Sequence, residues 1–325
     1  MFLSVSRVLS GISLFVFGLN FISENAAKAA EGEKTTKFLR SAVKRPAGGL
    51  FAGVILSAIL QSGSAASMIA VSLVGEKTIS FFNAACVIAG ANIGSTATAH
   101  LLSLSAAGGV GVCCFMLLIG LYGRFCKSIT LKSLGNVFIG TGVLFFGVEA
   151  VKNGISAFKD LRWFRIMFLG NKEWLLFLNG IILAACLQSS SAVTFVCLAL
   201  AAKNLLPFYN SVFLVLGANV GSCVPVLLLS VGKNEEAGKT ALFNLFFNLF
   251  GAVFFFFAVV CFRDFFVNAF SSSVAIGTAI ARFNTFFNVI PALAFLCFAE
   301  LRELKSKGKK CEKIKKSEIK LKNAV

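Results

Sequence analysis

The sequence predicts an all-α integral membrane protein made of two inverted-topology repeats, each with a re-entrant helical hairpin and a broken helix. Three observations predict it: apolar runs of bilayer-crossing length, a pair of polar motifs repeated at one spacing, and an odd number of crossings in each copy. Of the 325 residues, 57% are hydrophobic, against about 45–50% in soluble domains. The excess lies in runs such as Leu242 to Phe262 and Ala275 to Phe298, and about 20 apolar residues cross the hydrocarbon core of a bilayer. A soluble fold of this size needs no such runs.

The repeat is written in the polar residues. Gln61-Ser62-Gly63-Ser64-Ala65 recurs as Gln188-Ser189-Ser190-Ser191-Ala192, and Gly90-Ala91-Asn92-Ile93-Gly94-Ser95 recurs as Gly217-Ala218-Asn219-Val220-Gly221-Ser222. Gln61 to Asn92 and Gln188 to Asn219 are both 31 positions. Two motifs held at one spacing, twice, mark a duplicated unit. The first 22 residues resemble a signal peptide in composition. However, Leu14-Phe15-Val16-Phe17-Gly18 is echoed by Leu144-Phe145-Phe146-Gly147 deep in the chain. The segment therefore reads as the first helix of a repeat.

The elements follow in order. The first repeat, 1–131, begins with a helix over about 3–22 and a basic loop to residue 45. The stretch 47–75 is apolar on both sides of its polar centre. Each arm, about 13 residues, is too short to cross at 1.5 Å per residue. The two arms therefore form a hairpin that enters and leaves on one side. Segments at 79–104, interrupted at Gly90 to Gly94, and at 108–126 complete the copy. The second repeat, 132–262, gives a helix at 134–151, a basic loop, a hairpin at 174–203, a broken crossing at 206–231 and a helix at 240–262. A final helix lies within 263–300, and 301–325 form a basic cytoplasmic tail. Three full crossings per copy turn the second copy upside down, as in many secondary transporters.

Net charge is +17, and its placement speaks for a membrane rather than nucleic acid. Ten Lys and Arg lie between Arg302 and Lys322 against Glu303, Glu312 and Glu318, and a second cluster comprises Lys28, Lys34, Lys37, Arg40, Lys44 and Arg45. Basic segments flanking apolar spans follow the positive-inside rule, and such a tail suits anionic lipid. The loop at 24–45, the turn near Arg124, Lys127 and Lys132, and the tail share one side, read as cytoplasmic. The loop with Lys152, Lys159, Arg162, Arg165 and Lys172 then falls outside, against the rule. The ten cysteines lie mostly in apolar runs, and His100 is the only histidine. Neither a disulfide framework nor a zinc site is read here.

The chemistry sits at the two tips. Burying an amide or hydroxyl without a partner costs about 2–7 kcal/mol, so Gln61, Ser62, Ser64, Gln188, Ser189, Ser190 and Ser191 need partners. Irregular backbone at membrane depth persists only against protein or a cavity, and free N–H groups at the start of each second arm attract anions. Hydroxyl and carbonyl oxygens suit hard monovalent cations. Asn92, Ser95, Thr96, Thr98, Asn219 and Ser222 add amides and hydroxyls beside glycines that let backbone approach a ligand. The plain alternative is packing, since Ser and Gly bring membrane helices together; the repetition favours a ligand site. Asn244/Asn248 and Asn284/Asn288, each four apart on one face, read as interhelical glue. Asp and Glu stay out of the spans apart from Glu149. Proton carriers use buried carboxylates or histidines, so Na⁺ suits better than H⁺ as a coupling ion. His100 reads as interfacial and Arg282 as snorkelling. No nucleophile–base pair or Walker loop is present, which argues against an enzyme.

These motifs resemble the type II sodium–phosphate cotransporter family, including its bacterial members, from about residue 10 to 298. The family's two Gln-Ser-Ser-Ser motifs correspond to Gln61-Ser62-Gly63-Ser64 and Gln188-Ser189-Ser190-Ser191, and its Gly-Ala-Asn-Ile-Gly segments to 90–94 and 217–221. The resemblance implies Na⁺-coupled symport of inorganic phosphate in the cell membrane. It also implies Na⁺ shared among Gln61, Ser62, Gln188, Ser189 and Ser190, alternating access, and no cofactor beyond the coupling ion. A carrier or channel for another small anion is the alternative. Three departures stand out: Gly63 in place of a serine, Asn244 and Asn284 where bacterial relatives often carry histidine, and a short basic tail where many carry a regulator-like helical domain. A separate phosphate-uptake regulator-like protein and a second copy of the chain (a homodimer) remain open as partners.

Overall fold

Leu-, Ala- and Phe-rich stretches bounded by Gly, Pro and Ser build long helices. The computed structural model describes residues 1–30, 41–43, 45–170 and 172–322, with no strand among them. Thirteen helices are used below: α1 (Phe2–Ala30), α2 (Pro46–Leu60), α3 (Gly63–Gly75), α4 (Phe81–Arg124), α5 (Ile129–Ile155), α6 (Arg162–Phe168), α7 (Glu173–Leu187), α8 (Ser190–Ala202), α9 (Phe208–Gly221), α10 (Val224–Ser230), α11 (Glu235–Cys261), α12 (Arg263–Ser271) and α13 (Ile276–Lys322). Six segments are long and apolar enough to cross a membrane: Phe2–Ala26, Phe81–Ser103, Ile129–Phe158, Phe208–Ser230, Glu235–Cys261 and Ile276–Lys305. The crossing expected at 108–126 is instead the shorter arm Gly109–Arg124. The loop lysines and arginine Lys34, Lys37, Arg40 and Lys44 lie outside the described residues.

The hairpins form at the expected places. Pro46 opens α2, where its missing N–H costs nothing and its fixed φ suits the first turn. At 15 residues, α2 reaches only about 22 Å, less than the ~30 Å hydrocarbon core. α7 has the same length. Each is followed by a two-residue tip and a 13-residue second arm.

The expected break at Gly90 to Gly94 is not there. α4 runs through these residues without interruption and bends instead at Gly109, where φ is 59°. The glycines have another task. A Cβ on Gly90 would lie 1.9 Å from Leu50 O, and one on Gly94 2.2 Å from Val54 O. They let α4 lie directly on α2. The second copy repeats the contact 127 positions on: Gly217 meets Phe177 O at 2.0 Å and Gly221 meets Ile181 O at 2.2 Å. The second helix does break, between Gly221 and Val224, because Pro225 stands in the first turn of α10. Its missing N–H and its ring's clash with the preceding turn disfavour an unbroken helix there, whereas the matching residue of α4 is Thr98.

The first helices of the two copies pack against each other and run antiparallel. A Cβ on Gly18 would lie 2.7 Å from Gly140 O, one on Gly11 2.8 Å from Gly147 O, and one on Gly154 2.7 Å from Ser4 O. This small-residue seam is how membrane helices gain close packing without a hydrophobic drive. The hairpins also reach across the repeat boundary. Val71 of α3 is buried with Val226, Ala237 and Ala241 of the second copy. Lys233 Nζ donates to Ser72 Oγ at 2.9 Å, and Asn234 Nδ2 to Gly75 O at 2.7 Å. In turn α8 packs on α4, and its Phe195 stacks on Phe15 of α1 at 4.1 Å.

Candidate functional site

The two tips share one backbone conformation. Gln61 (φ 52°, ψ 24°) and Gln188 (φ 53°, ψ 24°) end their helices in the left-handed region, and Ser62 (φ −152°, ψ 114°) and Ser189 (φ −154°, ψ 119°) follow in extended form. Glycine normally occupies such a left-handed cap, since an L-residue pays about 1–2 kcal/mol there. A glutamine kept twice at this position points to a use for its amide. Each serine then caps the next helix: Ser62 Oγ accepts from Ala65 N and Ser189 Oγ from Ala192 N, both at 3.2 Å.

Tip one is tied down. Thr98 Oγ1 donates to Gln61 Oε1 at 3.0 Å and to Gln61 O at 3.3 Å. Gln61 Nε2 donates to Ala58 O at 2.8 Å, and the Ser62 and Ser64 hydroxyls meet at 3.2 Å. Gly63 explains itself here, because a Cβ would lie 3.1 Å from Ser95 Cβ. The serine expected by resemblance would crowd α4. Tip two is freer. The residue matching Thr98 is Pro225, which has no hydroxyl, and the exposed Gln188 makes no side-chain hydrogen bond among the described residues. Ser190 O accepts from Thr194 Oγ1 at 2.9 Å, and Ser191 is buried.

The two Gly-Ala-Asn segments are matched in detail. Ser95 Oγ donates to Asn92 O, and Ser222 Oγ to Asn219 O, both at 2.8 Å. α13 joins them. Thr285 Oγ1 donates to Thr96 Oγ1 at 3.1 Å and pairs with His100 Nε2 at 2.8 Å, while Asn219 Nδ2 reaches Asn284 Oδ1 at 3.5 Å. His100, read from sequence as interfacial, is a half-buried member of this network. Arg282 is exposed, in keeping with snorkelling. Asn248 Nδ2 donates to Asn244 O at 2.9 Å and Asn288 Nδ2 to Asn284 O at 2.8 Å, so the paired asparagines bond mainly within their own helices rather than as the interhelical glue expected, with Asn284 reaching across to Asn219. Among the described residues, Asn92 Nδ2, Ser57 Oγ and Ser67 Oγ are buried without a hydrogen-bond partner, one on each of α4, α2 and α3, and a buried orphan costs about 1–3 kcal/mol.

The structure thus brings Gln61, Ser62, Ser64 and Ser95 around one junction, with Asn92 a turn earlier on α4 and Thr96 engaged with Thr285 of α13. It places Asn219 and Ser222 on the matching helix and Gln188, Ser189, Ser190 and Ser191 at the other tip. No hydrogen bond among the described residues joins the two tips. Thr285 was missed by sequence reasoning, whereas Thr98 was read among the hydroxyls beside the Gly-Ala-Asn motif and proves to bond Gln61. Thr98 lies in the run Ser95-Thr96-Ala97-Thr98 beside the motif, so a signal was present; Thr285, almost 190 positions from its partner Thr96, gave none.

The polar tips lie in a bundle with six segments long and apolar enough to cross a membrane. The Na⁺/Pi-cotransporter family matches residues 14–153 and 165–298, and the chain belongs to that family. Similar proteins include "Uncharacterized protein YqeW" of Bacillus subtilis, 27% identical over 89% of this chain and 93% of that one. "Putative inorganic phosphate export protein YjbB" of Salmonella typhimurium is 26% identical over 92% of this chain and 54% of its own length. "Sodium-dependent phosphate transport protein 2A" of Ovis aries is 31% identical over 33% of this chain and 17% of its own. The chain thus spans about half the length of the export proteins it matches. No solved structure matches it. Family and helices together make it a multi-pass membrane protein of a phosphate-transport family.

Proposed function

We propose that the chain carries Na⁺ and inorganic phosphate together across the cell membrane, with both hairpin tips lining one site. The reading rests on the twin tips: two left-handed glutamines, each followed by a capping serine, in superposable backbone conformations. Phosphate would be held by the N–H groups at the starts of α3 and α8 and by tip hydroxyls. Na⁺ would take carbonyl and hydroxyl oxygens of Gln61, Ser62, Gln188, Ser189 and Ser190. A cation beside the anion offsets the cost of placing either charge in a low-dielectric site. The antiparallel packing of α1 on α5 supports the inverted relation of the two copies, which alternating access uses.

Direction follows the gradients, because a coupled carrier runs whichever way its combined driving force points. The export names of the relatives favour a second reading, in which phosphate leaves the cell by this route. Phosphate flux in proteoliposomes, with an imposed Na⁺ gradient, tests the site. Replacing Ser189, Ser190 and Ser191 together by alanine should abolish Na⁺-dependent flux while leaving folded protein. Unchanged flux would remove the second tip from the site.

A further inference from the structure

An outward face of the bundle carries a feature that lies outside the proposed site. α11 and α13 run antiparallel, but phenylalanines hold them apart where glycines bring α1 and α5 together. Phe243 meets Phe295 at 5.0 Å and Phe255 meets Phe287 at 5.7 Å. Between them lies a furrow of about 570 Å³, walled by Phe247, Phe250, Gly251, Pro291 and Phe295. A second cavity of about 410 Å³ shares Phe254, Phe255 and Ile290 with the first and continues it along the same helix pair. Phe250 and Phe254 stand 68% and 65% exposed on its rim, facing outward from the bundle.

One end of this furrow is cationic. Phe295, in its wall, touches Phe82 at 6.1 Å, and the Arg302 guanidinium lies over the Phe82 ring at 4.6 Å. Stacking fixes the face of the guanidinium and leaves its N–H fork for an oxyanion; Arg302 makes no hydrogen bond or ion pair among the described residues. Of the acids at this end, Glu303 adjoins Arg302 in the sequence and Glu236 lies 3.9 Å from Lys239. Glu300 Oε1 accepts from Ala47 N at 3.2 Å, and Glu235 pairs with Lys239 at 2.8 Å. From this same end leaves the segment with ten Lys and Arg against three Glu between Arg302 and Lys322. At the other end Arg263 stacks on Tyr209 at 4.3 Å, beside Asp264 and with no basic segment following.

We propose that one anionic phospholipid of the leaflet at the tail end docks here, an acyl chain in the phenylalanine furrow and its phosphate on Arg302. The acyl chain supplies affinity through buried methylenes; Arg302 supplies headgroup choice, in the way basic pockets between transmembrane helices select anionic lipids. A free phosphate ion would satisfy Arg302 alone and gain nothing from the furrow.

Native mass spectrometry of the full chain, purified in mild detergent and offered phosphatidylglycerol or phosphatidylcholine, tests this. Wild type should retain one phosphatidylglycerol about fivefold better than phosphatidylcholine, the ratio expected of one cation near a membrane surface. Arg302→Gln should erase that preference, and Arg263→Gln should keep it. Gly251→Leu, which fills the furrow, should lower retention of both lipids; should it not fold, Phe250→Ala at the exposed rim should do the same. Excess inorganic phosphate should leave the lipid bound. Equal retention of the two lipids by wild type, a preference that survives Arg302→Gln, or displacement by inorganic phosphate would each overturn the proposal. None of these readouts depends on which solute is transported.

Discussion

Thr98→Val removes the one hydroxyl that ties the first tip to α4. Thr98 is fully buried, and its Oγ1 donates to both the side-chain and backbone oxygens of Gln61, at 3.0 and 3.3 Å. Valine keeps the shape and loses the donor. The amide oxygen of Gln61 is then left with no donor among the described residues, which costs about 1–2 kcal/mol. If the tip is part of the binding site, that energy appears as a roughly 5- to 30-fold weaker half-saturation for Na⁺ and phosphate. Flux in proteoliposomes measures it, with thermal unfolding run in parallel. Thr98→Ser, which keeps the hydroxyl, should restore most of the affinity. Half-saturation values for both solutes that are unchanged in Thr98→Val would refute the claim that this hydrogen bond holds a working tip.

Four further outcomes follow from the geometry. Gln188→Gly should hold or raise thermal stability, since glycine relieves about 1–2 kcal/mol of left-handed strain at a side chain with no hydrogen bond, yet it should cut Na⁺-dependent flux sharply. Gly217→Ala places a Cβ 2.0 Å from Phe177 O and should cost about 3 kcal/mol or more, read as loss of the monodisperse peak in size exclusion. Gly238→Ala, with open space around it, should be neutral or stabilising by up to about 1 kcal/mol. Thr285→Val loses the bonds to Thr96 and His100 and should lower the unfolding temperature more than Ser272→Ala on the exposed end of α12.

The hairpins were legible because their boundaries are local chemistry. Pro46, the polar Gln-Ser centres and the apolar arms fix 46–75 and 173–202 almost at the residues read from sequence. The Gly-Ala-Asn segments were legible as a repeated motif but not in their action. Glycine permits both a break and a close approach, and sequence alone does not separate the two. Contact with Leu50 and Phe177 decides for approach. The break between α9 and α10 was marked by Pro225 rather than by the motif's glycines, while the bend in α4 falls at Gly109, outside the motif. His100 lies near the end of the Phe81–Ser103 segment, as its sequence position suggested, but its bond to Thr285, which comes from the far end of the chain, was not legible. The extra length of α1 beyond residue 22 follows from the alanines at 26–30, which favour helix whether or not a bilayer surrounds them.

The central claim is that a neutral, doubly repeated tip couples Na⁺ to phosphate. Radiolabelled phosphate accumulation in proteoliposomes of the wild-type chain, with an inward Na⁺ gradient compared against equal K⁺ or choline, addresses it directly. Accumulation above the outside concentration with Na⁺ alone is the expected result. Equal phosphate movement in all three salts, or flux that never exceeds equilibration, would contradict it.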